Sequence, residues 1–215
     1  MEVLFENFDR YLVGFWMTLQ LLLVSGFFAL IIGTLIAMLR ISPLGSMRVF
    51  ATAYTELARN TPLTLVLFFC AFLLPYLGTD YSYPVLAIIG LSFYTSPFVA
   101  EALRSGINGV ALGQAEAARS LGMRFSQTLI EIVLPQAFRM VIPPLINVFI
   151  ALTKNTSVAG AFFVVELFTI GKELANANGD AVILVLSGIA IFYLAITIPL
   201  GFIAARLEKK WVVVK

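Results

Sequence analysis

Residues 11–39 read YLVGFWMTLQLLLVSGFFALIIGTLIAML, a run of 29 amino acids without a charged side chain. A helix rises 1.5 Å per residue, so about 20 mostly apolar residues cross a hydrocarbon layer of roughly 30 Å. The run is long enough to cross, and it predicts a membrane-spanning helix. We therefore expect an all-α integral membrane protein.

The composition of the whole chain agrees with a membrane location. Of its 215 residues, 60% are apolar and 12% are charged, whereas soluble proteins average roughly half apolar and about a quarter charged. The mean hydropathy is +0.98. A globule of this size cannot bury so much apolar surface, so we expect the chain to lie in a lipid bilayer.

Several chemistries are excluded by what the composition lacks. The chain has no histidine, the commonest general base and a frequent metal ligand, so we expect no metal site and no catalysis by this chain. Its one cysteine, Cys70, lies in an apolar run, which excludes a disulfide framework. A net charge of +2 gives no argument for a nucleic-acid partner.

Four further stretches have the length of membrane spans. Charge-free runs cover residues 60–79, 81–100 and 181–205. The apolar stretch 140–165 is divided by Lys154, and because neither half is long enough to cross alone, we interpret it as one helix. The sequence therefore predicts five spans in a single domain, residues 1–215, with a tight hairpin between the second and third spans.

The distribution of basic residues predicts the orientation, because Lys and Arg near span ends remain on the cytoplasmic side. One face of the predicted bundle carries eleven basic residues and the other carries two. The eleven are Arg40, Arg48, Arg59, Arg104, Arg119, Arg124, Arg139, Arg206, Lys209, Lys210 and Lys215, and the two are Arg10 and Lys172. We expect the N-terminus outside and the C-terminus inside. The outer-loop residues Glu166, Lys172 and Glu173 are expected to be exposed charges, although they could touch an outside partner.

The largest predicted loop, residues 101–139, lies on the inner face and has the pattern of two helices. A helix-forming run at 114–121 is followed by Gly122, which is well placed to end it in the left-handed conformation. A second run at 124–134 is expected to stop at Pro135. The pattern predicts a compact helix, corner and helix, with small side chains that let another protein approach closely.

The spacing within this loop is similar to that of a known family. Glu116-Ala117-Ala118, then Gly122 after three residues, then residues 132–135 after nine more, resemble the EAA loop of ATP-binding-cassette importer permeases. The segments at 59–62, 99–107 and 154–157 resemble the polar amino-acid permeases in particular. The resemblance extends over about residues 11–206.

The resemblance implies a type I importer permease with five transmembrane helices and a cytoplasmic coupling helix, located in the bacterial inner membrane. It implies three kinds of partner: a second permease, identical or related; a dimer of ATPase subunits, which bind the ATP and Mg and hydrolyse the ATP; and an extracytoplasmic amino-acid-binding protein. No cofactor is expected in this chain. The residues implied for coupling to the ATPase are Glu116, Ala117, Ala118, Arg119 and Gly122.

Lys154 is the charged residue within the predicted spans, and two interpretations stay open. A charge near mid-membrane costs about 2.5–3.5 kcal/mol and usually faces a cavity or a partner. In the first interpretation, Lys154 and its neighbours line the substrate path; in the second, the helix breaks near Lys154 and the side chain reaches the interface. The predicted path residues are Lys154, Asn155, Thr156 and Ser157, with Tyr94 and Thr95 from the third span. The cluster at 94–96 could instead form hydrogen bonds between helices.

Asn155 bears on the substrate. Related permeases often carry aspartate at this position, so the amide removes a carboxylate that would attract a cation. With Lys154 nearby, we expect an acidic or neutral amino acid, glutamate first. The alternatives are the same importer with a cationic amino acid, or an ion-coupled secondary carrier. A proton-coupled carrier would need buried carboxylates, and the interiors of the five predicted spans contain no Asp or Glu.

Overall fold

The computed structural model describes residues 2–211, and nine helices form the fold of that part of the chain. Met1 and residues 212–215, which include Lys215 of the basic count, lie outside the described residues. The helices are α1 (Glu2–Glu6), α2 (Phe8–Arg40), α3 (Gly45–Asn60), α4 (Leu63–Tyr76), α5 (Tyr83–Asn108), α6 (Leu112–Ser120), α7 (Phe125–Phe162), α8 (Leu167–Ala177) and α9 (Val182–Trp211). The fold is all-helical in this part of the chain, as predicted.

Four of these helices, α2, α5, α7 and α9, are long and apolar enough to cross a membrane. A fifth crossing requires α3 and α4 together, which are bent by 98° at the break between them. The bend follows from Pro62, because a residue before proline is pushed out of the helical region. Thr61 accordingly has an extended backbone, with φ −89° and ψ 131°.

The prediction that the second inner helix stops at Pro135 is wrong, because α7 continues through this residue. The turn that precedes it, Thr128–Val133, is a π-helix, and the Leu134 N–H donates to the Leu129 carbonyl five residues back. The wider turn leaves room for the proline ring, which would clash with a carbonyl in a regular helix. The same device precedes Pro75, where Phe69–Leu73 is the π turn.

Residues 101–108, expected in the inner loop, belong instead to α5. The helix extends past the apolar run because its first charged residues are paired. Glu101 accepts hydrogen bonds from Arg40 at the end of α2 and from Arg104 one turn later in α5. The loop between α5 and α6 is consequently short.

Helix α2 is the central helix of the bundle. Its residues Leu21 and Leu22 belong to the main apolar core, together with Leu67 of α4 and Leu91 of α5. Where α2 meets α5, a Cβ added at Gly33 would lie 2.6 Å from the Ser96 carbonyl oxygen and from Val99 Cβ. Without a hydrophobic force between helices in lipid, close packing through small residues holds them together.

The two ends of the bundle differ in charge. At the end where α2 begins, Arg10 pairs with Glu173 of α8 at 2.6 Å. At the end where α2 finishes, Glu101 is surrounded by Arg40, Arg59 and Arg104. We call these the Arg10 end and the Glu101 end.

Glu166 is fully buried, so the expectation that it is an exposed outer-loop charge is wrong. It lies between α7 and α8, and its carboxylate accepts from the Phe168 and Thr169 N–H groups at 2.8 Å and from the Tyr193 hydroxyl at 2.9 Å. Burial raises the pKa of the Glu166 carboxyl. This residue caps α8 and ties it to α9.

We expect Gly33→Ala to destabilise the protein by about 1–3 kcal/mol, because the added methyl group overpacks the contact between α2 and α5. The measurement is the thermal unfolding midpoint of the purified protein in detergent. Gly201→Ala is the matched control, since a Cβ at Gly201 meets no atom within 4 Å. Equal midpoints for the two variants would contradict the close-contact argument.

Glu166→Ala should lower the free energy of unfolding by about 2–4 kcal/mol, because buried donors lose their acceptor. Glu173→Ala removes a carboxylate at the same end of the bundle whose side chain is 47% exposed, and it should cost less than about 1 kcal/mol. Chemical denaturation in detergent compares the two. A loss in Glu166→Ala no greater than that in Glu173→Ala would refute the capping role.

Candidate functional site

A cavity of about 430 Å³ lies between α5 and α7, and we call it the α5–α7 cavity. Its polar lining consists of Tyr94, Thr95, Asn147 and Asn155, and its apolar lining is Phe98, Pro144, Val148, Ala151 and Leu152. Ligand pockets are typically about 300–1,000 Å³ and combine apolar walls with a few polar groups. The cavity therefore has the size and the chemistry to hold a small polar solute.

Thr95 is the most informative of the lining residues. Its side chain is 4% exposed, and its hydroxyl has no hydrogen-bond partner in the described part of the chain. Buried polar groups are nearly always paired, so an unpaired hydroxyl at a cavity wall calls for a ligand or water. The next residue, Ser96, is by contrast paired with the Tyr54 hydroxyl at 2.7 Å, which is the hydrogen bond between helices that the sequence left open.

The predicted path residues do not lie together in the structure. Asn155 faces the α5–α7 cavity with Tyr94 and Thr95, whereas Lys154 and Ser157 line another cavity of about 290 Å³ beside α9. Thr156 is fully buried, and its hydroxyl donates to the Thr153 carbonyl at 2.7 Å. Consecutive residues on a helix point about 100° apart, so four adjacent residues cannot share one cavity.

The helix type and the surroundings of Lys154 bear on the two interpretations of this residue. The α-helical part of α7 ends at Asn155, and the seven residues Thr156–Phe162 that follow form a 3₁₀-helix. The change of helix type next to Lys154 fits the second interpretation, and the exposed Lys154 side chain lies on the wall of the smaller cavity. A role of Lys154 in the substrate path stays a prediction.

Sequence reasoning missed Asn147, which lines the α5–α7 cavity opposite Tyr94 and Thr95 on α5. The signal was present, because Asn147, Ala151 and Asn155 are spaced by four residues and so share one face of a helix. An amide within the apolar run 145–152 is itself unusual. Reading α7 by its helical period, rather than by its run of adjacent polar residues, would have identified this face.

The corner after α6 has the conformation that the sequence predicted. Gly122 has φ +84°, its N–H donates to the Arg119 carbonyl at 3.0 Å, and the Met123 N–H donates to the Ala118 carbonyl at 3.2 Å. These two hydrogen bonds define a Schellman motif, whose left-handed position favours glycine. The corner is therefore a hydrogen-bonded turn.

The surface of the corner is open and partly apolar. Leu112, Leu121 and Phe125 are 82%, 84% and 79% exposed, and Glu116, Ala117 and Arg119 are exposed as well. Ala118 alone among the predicted coupling residues on α6 is buried. Because α6 follows α5 beyond Glu101, the corner lies at the Glu101 end. Exposed apolar groups that lie close together are typical of a surface that binds another protein.

Among residues 2–211, no group of three or more His, Cys, Asp or Glu side chains is placed to hold a metal ion. The site as described consists of neutral polar groups and apolar walls.

Comparison with known proteins gives a consistent result. The profile of the family described as "Binding-protein-dependent transport system inner membrane component" matches residues 14–213. The chain is 42% identical to the glutamate transport system permease protein GluC of Corynebacterium efficiens, over 95% of each chain. It is 38% identical to the probable glutamine ABC transporter permease protein GlnM of Bacillus subtilis, over 98% of this chain and 99% of that one.

A solved structure extends the comparison to the fold. The structure described as an amino acid ABC transporter with histidines matches with a TM-score of 0.88 and 26% identity, over 96% of each chain. The overall fold of the chain is therefore that of a known structure.

Proposed function

The chain belongs to the family of binding-protein-dependent transport system inner membrane components, and from that premise we propose which solute it moves and how it is driven. It is a permease subunit of an ABC amino-acid importer. Our proposal is that its solute is glutamate or another acidic or neutral polar amino acid, and that the α5–α7 cavity holds this solute during transport.

The observation that carries the substrate proposal is the neutral polar lining of the cavity. None of its lining residues is charged, and Asn155 and Asn147 offer both donors and acceptors to a zwitterion. A cationic side chain would call for a carboxylate, which the lining lacks. The lining also lacks a basic group, so by itself it favours a neutral polar amino acid. The relatives named for glutamate and glutamine support including both amino acids in the proposal. Lys154 lines another cavity and no longer contributes to this argument.

The proposed partners follow from the corner after α6. Two ATPase subunits, which bind ATP and Mg, would dock against the exposed surface around Glu116, Ala117, Arg119 and Gly122. A second permease, identical or related, and an extracytoplasmic binding protein complete the assembly. The proposed orientation places the Glu101 end in the cytoplasm and the Arg10 end outside the inner membrane, because the basic residues gather at the former.

The function is tested by reconstituting the chain with its partners in liposomes and measuring uptake across a panel of amino acids. We expect uptake of glutamate or glutamine that requires ATP and the ATPase subunits. Uptake that persists without ATP and follows a proton gradient would instead establish the secondary carrier.

Gly122→Trp should reduce ATP-driven uptake more than about tenfold while leaving membrane insertion intact. A Cβ at this position meets no atom of the described chain within 4 Å. A left-handed backbone costs about 1–2 kcal/mol for a residue with a Cβ, and the indole would obstruct docking. Gly45→Trp is the matched control, since it is equally open and lies at the same end. Normal uptake in Gly122→Trp would contradict the docking proposal.

Asn155→Asp should change the preference of the cavity toward cations. We expect binding of L-glutamate to the purified, assembled transporter to weaken about tenfold or more, and binding of L-arginine to appear, because a carboxylate replaces the amide. Ser157→Asp adds the same charge to the neighbouring cavity and should leave both affinities unchanged. Equal effects of the two variants would show that Asn155 does not face the solute.

A further inference from the structure

A second cavity adjoins the α5–α7 cavity on the side of the Glu101 end. It measures about 650 Å³, and we call it the basic vestibule. The two cavities share Phe98, Pro144 and Val148 as lining residues. These three side chains therefore form the boundary between them. The vestibule opens toward the end of the bundle that carries the corner after α6.

The lining of the vestibule differs from that of the α5–α7 cavity in charge. Arg59 of α3 and Arg104 of α5 line it together with Glu101, and the two arginine side chains are 41% and 40% exposed. Arg40, whose side chain is 12% exposed, also pairs with Glu101 but does not line the cavity. Three guanidinium groups thus surround one carboxylate, which leaves an excess positive charge at the vestibule.

Arg59 is the least engaged of the three arginines. Its Nη1 atom lies 3.6 Å from Glu101 Oε1, which is beyond a good hydrogen bond, whereas the Arg104 Nη2 atom lies 2.9 Å from Glu101 Oε2. The Arg59 guanidinium instead lies 5.8 Å from the centre of the Phe98 ring, so it is held beside the boundary of the two cavities. It therefore retains donors for a further anion.

We propose that the basic vestibule is a second, weaker binding site, in which Arg59 and Arg104 receive the carboxylate of the amino acid as it leaves the α5–α7 cavity. The guanidinium fork pairs with carboxylates in a bidentate geometry. Partial exposure keeps each pair weak, which suits a site of release. This inference rests on the proposed function for the direction of transport.

The principal alternative is that the arginines only tie the ends of α2, α3 and α5 together. Arg40 separates the two roles, because it is the most buried partner of Glu101 and does not line the vestibule. Arg40→Gln should lower the unfolding midpoint and leave carboxylate binding in the vestibule unchanged. Arg59→Gln should leave the unfolding midpoint unchanged and weaken carboxylate binding in the vestibule.

The experiment uses the assembled transporter in liposomes, with binding protein and labelled substrate outside and ATP inside. Unlabelled L-glutamine in the lumen then reaches the cytoplasmic mouth, and the measured quantity is the lumenal concentration that halves uptake. We expect this concentration to rise about two- to fivefold in Arg59→Gln and in Arg104→Gln, the range of partly exposed ion pairs. The KM for external substrate should not change. Arg59→Lys, which keeps the charge, should restore much of the inhibition.

Two measurements on the unaltered transporter make the test independent of how the variants fold. Inhibition by lumenal L-glutamine should weaken as lumenal salt is raised, because salt screens exposed charges. The decarboxylated analogue 4-aminobutanamide should inhibit far less. Unchanged inhibition in Arg59→Gln and Arg104→Gln, or the same rise in Arg40→Gln, would overturn the vestibule proposal. Absence of ATP-dependent uptake by the unaltered transporter would overturn the proposed function instead.

Discussion

The constraint on which this structure depends is that a backbone in lipid has no water to bond with, so its polar groups must be satisfied within the protein. Nine prolines occur in the chain, and several fall inside helices that must nevertheless remain continuous. At Pro75 and Pro135 a preceding π turn leaves room for the proline ring, and at Pro62 the chain bends by 98° instead. Helices α4 and α7 are therefore continuous through Pro75 and Pro135, whereas the chain changes direction at Pro62.

The sequence was sufficient for those features that depend on a local pattern. Charge-free runs located the long helices, and Gly122 after a helix-forming run predicted the left-handed corner that the structure contains. Features that depend on distant partners were not predictable in the same way. Besides its local bonds to α8, the buried Glu166 carboxylate accepts a hydrogen bond from Tyr193, 27 residues later, and no property of the residues beside Glu166 reports that contact. The extension of α5 past Ala100 likewise depends on Arg40, in another helix.

The polar residues at 154–157 illustrate a third case, in which residues adjacent in the sequence lie on different faces of the helix. Adjacent polar residues suggested one lining, whereas a helix distributes neighbours around its axis. Asn155 faces the same cavity as Asn147, eight residues earlier, and Lys154 does not. Which face of a span is functional depends on which helix packs against it. That information lies in the contact between α5 and α7 and not in either segment alone.

The lining changes from neutral in the α5–α7 cavity to positively charged in the basic vestibule. The cavity contains neutral amides and hydroxyls, and the vestibule, across Phe98, contains two partly exposed guanidinium groups. Such a gradient has a physical basis, because a fixed charge deep in the bilayer is costly to bury and would hold an opposite charge tightly. Neutral groups orient a zwitterion without trapping it, and charges near the aqueous end act where solvent weakens them. A transporter must release its solute once per cycle, and neutral contacts inside the bundle, followed by charges that solvent screens at the exit, permit that release.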